Sequence, residues 1–123
     1  MKKIKIEKIA VVGTGYFSQY HLDAWKRLKI DVVGICSLDI NKAKYEASKF
    51  KNCKFFSDCQ EMIKVTKPTL IDLIVPPKNQ LKLIRNIARF GIDIVCQKPL
   101  TNSIADAKKI KRIVKKSKIR FIV

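Results

Sequence analysis

The hydrophobic period of this chain switches repeatedly, and no other feature limits its fold as strongly. Short, almost continuously apolar runs alternate with segments whose apolar residues recur at helical spacing. The runs lie at 9–12, 32–36, 55–56, 70–75, 92–96 and 119–123. Runs without polar alternation are buried on both faces, which is typical of a parallel sheet covered by helices. We therefore predict an α/β fold with a doubly wound parallel sheet of about six strands and helices on both faces.

Helical segments are predicted between these strands. The first runs from Phe17 to Leu28, and a second has apolar residues at positions 43, 47 and 50. Ser57 and Gln60 form a capping-box pattern that predicts the start of a third helix. A fourth carries an apolar stripe over 81–88 and is closed by Gly91, and residues 101–103 cap a lysine-rich last helix.

Length and composition limit the chain to one domain. A chain of 123 residues leaves no room for a second domain of ordinary size, and 47% hydrophobic residues exclude a disordered chain. No apolar run approaches the roughly 18 residues needed to span a bilayer. We therefore expect a single domain over residues 1–123, in the cytoplasm and without a membrane association.

The net charge of +17 raises the question of nucleic-acid binding. Over 104–114, however, apolar residues recur at helical spacing, so the lysines of this segment occupy the solvated face of an amphipathic helix. No aromatic residues interleave with these bases, as a groove for single-stranded nucleic acid would require. The pattern favours a lysine-rich surface, and a basic nucleic-acid-binding protein remains as an alternative.

The cysteines and the single histidine do not form a metal-binding pattern. The four cysteines lie at positions 36, 53, 59 and 96, with no pair at CxxC spacing. His21 does not complete a zinc site with them at any recognised spacing. The sequence therefore predicts four free thiols in a reducing compartment and no metal site.

A Gly-x-Gly turn lies where the first predicted strand leads into the first helix. Gly13 permits a tight turn, and Gly15 lets the backbone approach a pyrophosphate without a Cβ in the way. The amides near Tyr16 and Phe17, at the start of the helix, then face the phosphates with the positive end of the helix dipole. Ser18 replaces the third glycine of the fingerprint and is small enough for close packing. The pattern predicts a dinucleotide-binding Rossmann domain.

The end of the second strand is where such a domain binds the adenosine ribose. An acidic residue about 20 residues beyond the glycines usually holds the ribose hydroxyls. Ser37 occupies the strand-end position, and Asp39 follows as either the ribose ligand or the N-cap of the next helix. If Ser37 holds the site, no carboxylate repels a 2′-phosphate. The sequence therefore leaves NAD or NADP open as the cofactor.

Two proline-containing elements follow the fourth and fifth strands, at the carboxyl edge where open α/β sheets bind ligands. Pro76 and Pro77 either border the cofactor or only end the fourth strand. Gln97, Lys98 and Pro99 follow the fifth strand on the same edge. Lys98 is either an exposed, inert lysine like most of the others or one with a role at this edge, since a proline fixes it where the sheet holds the cofactor.

Three segments resemble one enzyme family: IAVVGTG at 9–15, LIVPP at 73–77 and VCQKPL at 95–100. They are similar to the N-terminal domain of the Gfo/Idh/MocA oxidoreductases, which include glucose–fructose oxidoreductase and inositol dehydrogenase. The resemblance runs over essentially all 123 residues. It implies the cofactor-binding part of an enzyme that uses NAD or NADP to oxidise or reduce sugars, cyclitols and related polyols.

The resemblance also assigns roles to individual residues. It places Lys98 beside the nicotinamide and the substrate, where an ammonium orients a substrate hydroxyl and supports proton transfer. It implies a cis peptide between Lys98 and Pro99. Family members usually carry Glu at the position of Gln97 and often His at that of Gln80, so neutral amides stand at these two cofactor contacts here.

The family's second α/β domain, which carries the Asp and His of the substrate site, has no counterpart in these 123 residues. We expect a truncated or isolated cofactor domain that binds a dinucleotide and turns over no sugar or polyol alone, with its oligomeric state left open. A non-catalytic nucleotide-binding or redox-sensing module is an alternative reading. The Gln-Lys-Pro element argues against it, because a sensor needs no lysine at the hydride site.

Overall fold

The computed structural model describes residues 7–123, so the first six residues of the predicted domain lie outside the described part. The strands are β1 (Lys8–Val12), β2 (Asp31–Cys36), β3 (Lys54–Phe56), β4 (Leu70–Leu73), β5 (Asp93–Cys96) and β6 (Phe121–Ile122). The helices are α1 (Ser18–Arg27), α2 (Ile40–Ala47), α3 (Cys59–Thr66), α4 (Pro77–Ala88) and α5 (Ile104–Ser117). Strands and helices alternate throughout, as the sequence predicts.

All of these strands lie in one parallel sheet with the order β3-β2-β1-β4-β5-β6. The chain winds outward from β1 to β3, returns to the middle of the sheet, and winds outward again from β4 to β6. This arrangement confirms the predicted doubly wound fold. The winding reverses between β1 and β4, and ligands of open α/β sheets bind outside the carboxyl ends of the strands at such a switch point.

The two faces of the sheet are covered by different helices. On one face, Leu22 of α1 and Ala43 of α2 pack on the inner strands. On the other face, Met62 of α3, Ile84 of α4 and Ile110 of α5 form a second core. Alternate residues of the central strands therefore point into different cores, which explains why β1 has no polar alternation.

The structure shifts the boundaries of the segment around the two prolines. The apolar run predicted over 70–75 is a strand only as far as Leu73. Pro77 is the first residue of α4, so this helix begins before Leu81, where the predicted apolar stripe starts. Proline suits the first helical position, because the N–H that it lacks would have no partner within the helix.

Three helices begin at a side chain that accepts a hydrogen bond from the backbone. Asp39, Asp58 and Ser103 are the N-caps of α2, α3 and α5. The capping box predicted at Ser57 is wrong by one residue, since Asp58 Oδ1 accepts the backbone N–H of Gln60 at 3.0 Å. A side-chain oxygen at this position satisfies a helix N–H that would otherwise lack a partner.

The lysine-rich helix α5 is amphipathic, as predicted. Ile110 is 1% exposed in the core, whereas Ile104, which the sequence places on the apolar stripe, is 79% exposed in the first turn. Within residues 7–123, we find no helix that combines the length and the apolar character required to cross a membrane.

Backbone hydrogen bonds extend past the ends of the central strands. The N–H of Gly13 donates to the last carbonyl of β2 at 2.9 Å, and that of Ile74 donates to the last carbonyl of β1 at 2.8 Å. The N–H of Gln97 donates to the last carbonyl of β4 at 2.9 Å. The first residue of each following loop is therefore fixed at one edge of the sheet.

Candidate functional site

An open cavity of about 600 Å³ lies at this carboxyl edge, over the switch point between β1 and β4. The loop after β1, the end of β2, the start of α3 and the segment leading into α4 line it. Of the predicted cofactor-binding residues, Gly13, Gly15, Ser37 and Pro76 are in the lining. A cavity of this size is in the range of small-molecule and cofactor sites.

The two glycines of the first loop serve different purposes. Gly13 has a φ of +112°, and a Cβ at this position would lie 2.0 Å from the carbonyl oxygen of Ile74. A Cβ on Gly15 would meet no atom within 4 Å. Gly13 is therefore required by the turn itself, whereas Gly15 keeps the cavity open where a ligand approaches the backbone.

Helix α1 begins directly beyond this loop with an exposed positive end. Its N-cap, Phe17, makes no side-chain capping bond, and its first turn contains no acidic residue. The N–H groups and the dipole at this helix start therefore favour an anion. Ser18, in place of a third glycine, is 3% exposed, and its Oγ donates to the carbonyl oxygen of Gly15 at 2.6 Å.

The aromatic rings at the start of α1 lie outside the cavity lining. Tyr16 and Phe17 are exposed and pack edge to face, with ring centroids 5.5 Å apart. Their side chains therefore do not enter the cavity. The contribution expected of these residues is limited to their backbone amides, as the sequence analysis proposed.

The end of β2 presents a hydroxyl pair to the cavity. Ser37 Oγ lies 2.7 Å from Thr14 Oγ1 and accepts the backbone N–H of Asp39 at 3.2 Å. The carboxylate of Asp39 accepts the N–H groups of Asn41 and Lys42 at 3.0 and 3.4 Å. Asp39 is thus the N-cap of α2 and does not line the cavity. Of the two alternatives for this residue, the structure supports the cap, and Ser37 holds the strand-end position.

Sequence reasoning missed the carboxylate that does line this part of the cavity. Asp58 follows β3, caps α3 and faces the cavity together with Leu38, whose side chain is 97% exposed. Burial raises the pKa of the Cys36 thiol, and the charge of Asp58 raises it further. The available signal was an acidic residue two positions after a strand that ends at the same sheet edge.

The opposite side of the cavity carries positive charge. Pro76 is the N-cap of α4 and makes no side-chain capping bond, and Pro77 follows as its first residue. Lys78 and Lys82, from the first turns of this helix, line the cavity, whereas Pro77 does not. Lysines and an uncapped helix start attract phosphate groups to this side.

Gln80 does not reach the cavity, which corrects the expectation that it contacts a cofactor. Its side chain is 0% exposed. Its Nε2 donates to the backbone oxygens of Val75 and Gln97 at 3.2 and 2.9 Å, and its Oε1 accepts the thiol of Cys96. Gln80 therefore joins the loops after β4 and β5 rather than binding a ligand.

Residues 97–99 form the adjoining end of the same sheet edge. The peptide between Lys98 and Pro99 is cis, which confirms the expectation from the family resemblance. Lys98 and Pro99 are exposed and Gln97 is half-buried. None of the three is in the cavity lining, and Lys98 directly follows Gln97, whose N–H is bonded to the last carbonyl of β4.

A buried charged group next to this edge was also missed by sequence reasoning. Asp72, in the middle of β4, is 0% exposed and is bonded to His21 and Trp25 of α1. Burial raises the pKa of Asp72, while the bonds from Trp25 and His21 lower it. A single acidic residue inside an apolar strand is the signal that could have identified it.

The four cysteines are free thiols that do not supply a reactive group to the site. Burial raises the pKa of Cys36 to about 11 and those of Cys53, Cys59 and Cys96 to about 12. A nucleophilic cysteine requires a thiolate, which a raised pKa disfavours at neutral pH.

Comparison with known families agrees with this geometry. The sequence pattern of the oxidoreductase family with an NAD-binding Rossmann fold, the Gfo/Idh/MocA family, matches residues 7–123. The chain belongs to this family. The match includes the glycine loop, the end of β2 and residues 97–99, so every part of the site described above lies within the Gfo/Idh/MocA pattern.

Individual Gfo/Idh/MocA relatives extend the comparison. D-apiose dehydrogenase of Paraburkholderia graminis is 26% identical over 106 residues, which cover 85% of this chain and 28% of that protein. The structure of an oxidoreductase from Agrobacterium radiobacter, solved with NAD⁺, L-tartaric acid and magnesium, is 24% identical and has a TM-score of 0.87. The match covers 95% of this chain and 34% of that protein. The structure of myo-inositol 2-dehydrogenase from Lactobacillus plantarum is 17% identical and has a TM-score of 0.86. That match covers 96% of this chain and 36% of the dehydrogenase. The chain spans about a third of the length of these relatives.

Proposed function

We propose that this chain is the cofactor-binding domain of an NAD(P)-dependent oxidoreductase that acts on a sugar, a cyclitol or a related polyol. The observation that carries the proposal is the open space over Gly15 in a cavity at the switch point of the sheet, with the uncapped start of α1 directly beyond the glycine loop. The D-apiose and myo-inositol dehydrogenases among its relatives support the substrate class.

The residues of the cavity fit a dinucleotide. Space over Gly15 accommodates the pyrophosphate, which the amides of the α1 start bind, and Lys78 and Lys82 add positive charge. Ser37, with its hydroxyl bonded to Thr14, faces the adenosine ribose. When bound, the nicotinamide supplies hydride transfer. The protein's own part is to bind and orient it.

Lys98 is the chemical group that we assign to the substrate side. It follows β5 at the carboxyl edge of the sheet, its backbone N–H donates to Gln97 Oε1 at 2.8 Å, and its side chain is exposed. An ammonium at this edge orients a substrate hydroxyl and holds or releases a proton there. The chain spans about a third of the length of its relatives, so we assign to these residues cofactor binding and the placement of Lys98, and not turnover of a polyol.

We further propose that the site prefers NAD to NADP. Ser37 and Asp39 provide no carboxylate at the ribose, but Asp58 lines the same end of the cavity. Lys78 and Lys82 lie on α4, on the other side. A carboxylate repels a 2′-phosphate and accepts hydrogen bonds from a 2′-hydroxyl. Asp58 therefore replaces the acidic residue that usually binds the ribose at the end of the second strand.

Calorimetric titration of the 123-residue chain with NADH, NADPH and a single-stranded oligonucleotide, each at several salt concentrations, tests these proposals. We expect saturable one-to-one binding of NADH that persists at high salt and exceeds that of NADPH. Oligonucleotide binding through surface lysines should collapse as salt increases. Oligonucleotide binding that exceeds dinucleotide binding at every salt concentration would favour the nucleic-acid alternative.

A further inference from the structure

The carboxylate of Asp72 is held inside the fold by two side chains from the same helix. His21 Nδ1 lies 2.9 Å from Asp72 Oδ2 and 3.0 Å from Oδ1, and Trp25 Nε1 donates to Oδ2 at 2.8 Å. Residues four apart lie on one face of a helix, so both side chains of α1 reach β4 together. A carboxylate that is 0% exposed needs such donors to offset the loss of water.

These contacts determine which nitrogen of His21 carries the proton. In its ionised form the Asp72 carboxylate only accepts hydrogen bonds, and in that form Nδ1 is the N–H that donates to it. The other nitrogen, Nε2, is then an acceptor in the neutral ring, and Gln97 Nε2 lies 3.2 Å from it. The side-chain NH₂ of Gln97 therefore donates to His21.

The orientation of the Gln97 side-chain amide links His21 to the backbone of Lys98. With its NH₂ directed at His21, the Gln97 amide presents Oε1 to the backbone N–H of Lys98, which donates at 2.8 Å. A flipped amide would place NH₂ against that N–H and a carbonyl oxygen against the unprotonated Nε2. Both bonds would then be lost, so one orientation alone satisfies both neighbours.

The backbone of Gln97 is fixed independently of its side chain. Its N–H donates to Leu73 O at 2.9 Å, and its carbonyl oxygen accepts Gln80 Nε2 at 2.9 Å. Gln80 is 0% exposed and so has no competing bond to solvent. Residue 97 is thus anchored from two sides, and its side-chain amide connects that anchor to residue 98.

We propose that Asp72 and His21 are positioning residues for Lys98, acting through the side chain of Gln97. Asp72 selects the tautomer of His21, His21 selects the orientation of the Gln97 amide, and that amide fixes the backbone N–H of Lys98. The inference deepens the proposed function, because positioning matters only if Lys98 acts on a substrate. A group misplaced by even about 1 Å loses much of its catalytic effect.

The single histidine of the chain makes the first step directly observable. In ¹⁵N-labelled protein at neutral pH, long-range ¹H–¹⁵N correlation of the imidazole should show Nδ1 protonated and Nε2 unprotonated. A histidine with a structural role alone could adopt either tautomer. The tautomer protonated at Nε2 in the wild-type chain would overturn the inference without any variant having to fold.

Variants then test the direction of the connection. Asp72→Asn, which preserves shape, should abolish the fixed tautomer and shift the backbone amide signal of Lys98. Gln97→Ala should keep the tautomer and still shift Lys98. Trp25→Phe is the matched control, because it removes the other bond to Asp72 and should leave the His21 tautomer and the Lys98 amide unchanged. If the backbone amide signal of Lys98 keeps its wild-type position in both Asp72→Asn and Gln97→Ala, the proposal is overturned.

Titration of the same samples with NAD⁺ separates this inference from the proposed function. If the wild-type chain binds NAD⁺ but His21 does not have the expected tautomer and the Lys98 amide signal does not shift in the variants, only the positioning role is rejected. If His21 has the expected tautomer and the Lys98 amide signal shifts in the variants, but the wild-type chain binds no NAD⁺, the proposed function is rejected instead. We expect the wild-type chain to show both the fixed tautomer and saturable NAD⁺ binding.

Discussion

Gly13 packs against Ile74 so closely that a Cβ on Gly13 would lie 2.0 Å from the carbonyl oxygen of Ile74. Ile74 also donates its N–H to β1 at 2.8 Å, so its backbone is not free to move away. The contact joins the glycine loop to the strand across the switch point. The cavity wall at Gly13 is therefore packed against backbone atoms that leave no room for a side chain at this position.

Gly13→Ala should destabilise the fold. The new Cβ would overlap a backbone oxygen, and the φ of +112° is strained for any residue other than glycine. Crowding and strain together lead us to expect a loss of about 3 kcal/mol or more in the free energy of unfolding. Urea denaturation monitored by Trp25 fluorescence measures it. A variant as stable as the wild type would show that the loop is not built as described.

Gly15→Val is the matched change that should spare the fold. A Cβ on Gly15 meets nothing within 4 Å, so the loss in unfolding free energy should be small compared with Gly13→Ala. The branched side chain would fill the space required by a pyrophosphate, and we expect NADH affinity to fall at least about tenfold, or 1.4 kcal/mol. Calorimetry provides the affinity. Unchanged binding in the folded variant would mean that residues 13–15 form a turn without a ligand.

Asp58→Asn should weaken the preference for NAD. Asparagine is as good an N-cap as aspartate, so α3 should remain intact while the carboxylate at the ribose end of the cavity is removed. The ratio of NADPH to NADH affinity should therefore increase. Asp39→Asn is the control, because Asp39 caps α2 outside the cavity, and its ratio should remain that of the wild type. An equal effect of the two changes would refute the assignment of Asp58.

The buried thiols predict that stability falls in alkaline solution. Burial raises the pKa of Cys59 from 9.0 to about 12, with smaller contributions from Cys36 and Asp58. Above pH 9 the unfolded chain therefore releases a proton that the folded chain retains, and the free energy of unfolding decreases as pH rises through this window. One thiol contributes at most about 1.4 kcal/mol per pH unit.

Cys59→Ala tests this origin of the alkaline instability. Urea denaturation at pH 8, 9 and 10 should give a shallower decrease in unfolding free energy for the variant than for the wild type. The two proteins differ only at residue 59, so the difference between their slopes reports this thiol. Parallel decreases in the two proteins would show that Cys59 is not desolvated in the folded state.

Features encoded by short stretches of sequence could be predicted. The strands follow from apolar runs, and the glycine loop follows from a Gly-x-Gly turn between a strand and a helix. The boundary at Ser57 was wrong and the stripe from Leu81 did not reveal the start of α4, because both depend on which neighbouring residue caps or begins a helix. Asp58 and Pro77 take those positions, and each was a one-residue or one-turn alternative in the same segment.

Features that depend on distant residues could not be predicted. His21 and Asp72 are 51 residues apart in the chain, and only the packing of α1 on β4 brings them together. Gln80 lies where a ligand contact was expected, but α4 turns its side chain inward, where it joins two loops. Packing decides whether a polar side chain at the edge of a sheet faces the cavity or the interior. The spacing of polar residues along the sequence does not reveal which of the two occurs.

The most direct test of the central claim is a ¹H–¹⁵N correlation spectrum of the 123-residue chain recorded during titration with NAD⁺. If the chain binds a dinucleotide as we describe, the backbone amides of Gly13, Gly15, Phe17 and Ser37 will shift together and saturate with a single dissociation constant. Amide shifts confined to the lysine-rich face of α5, or the absence of any saturable shift, would contradict the account.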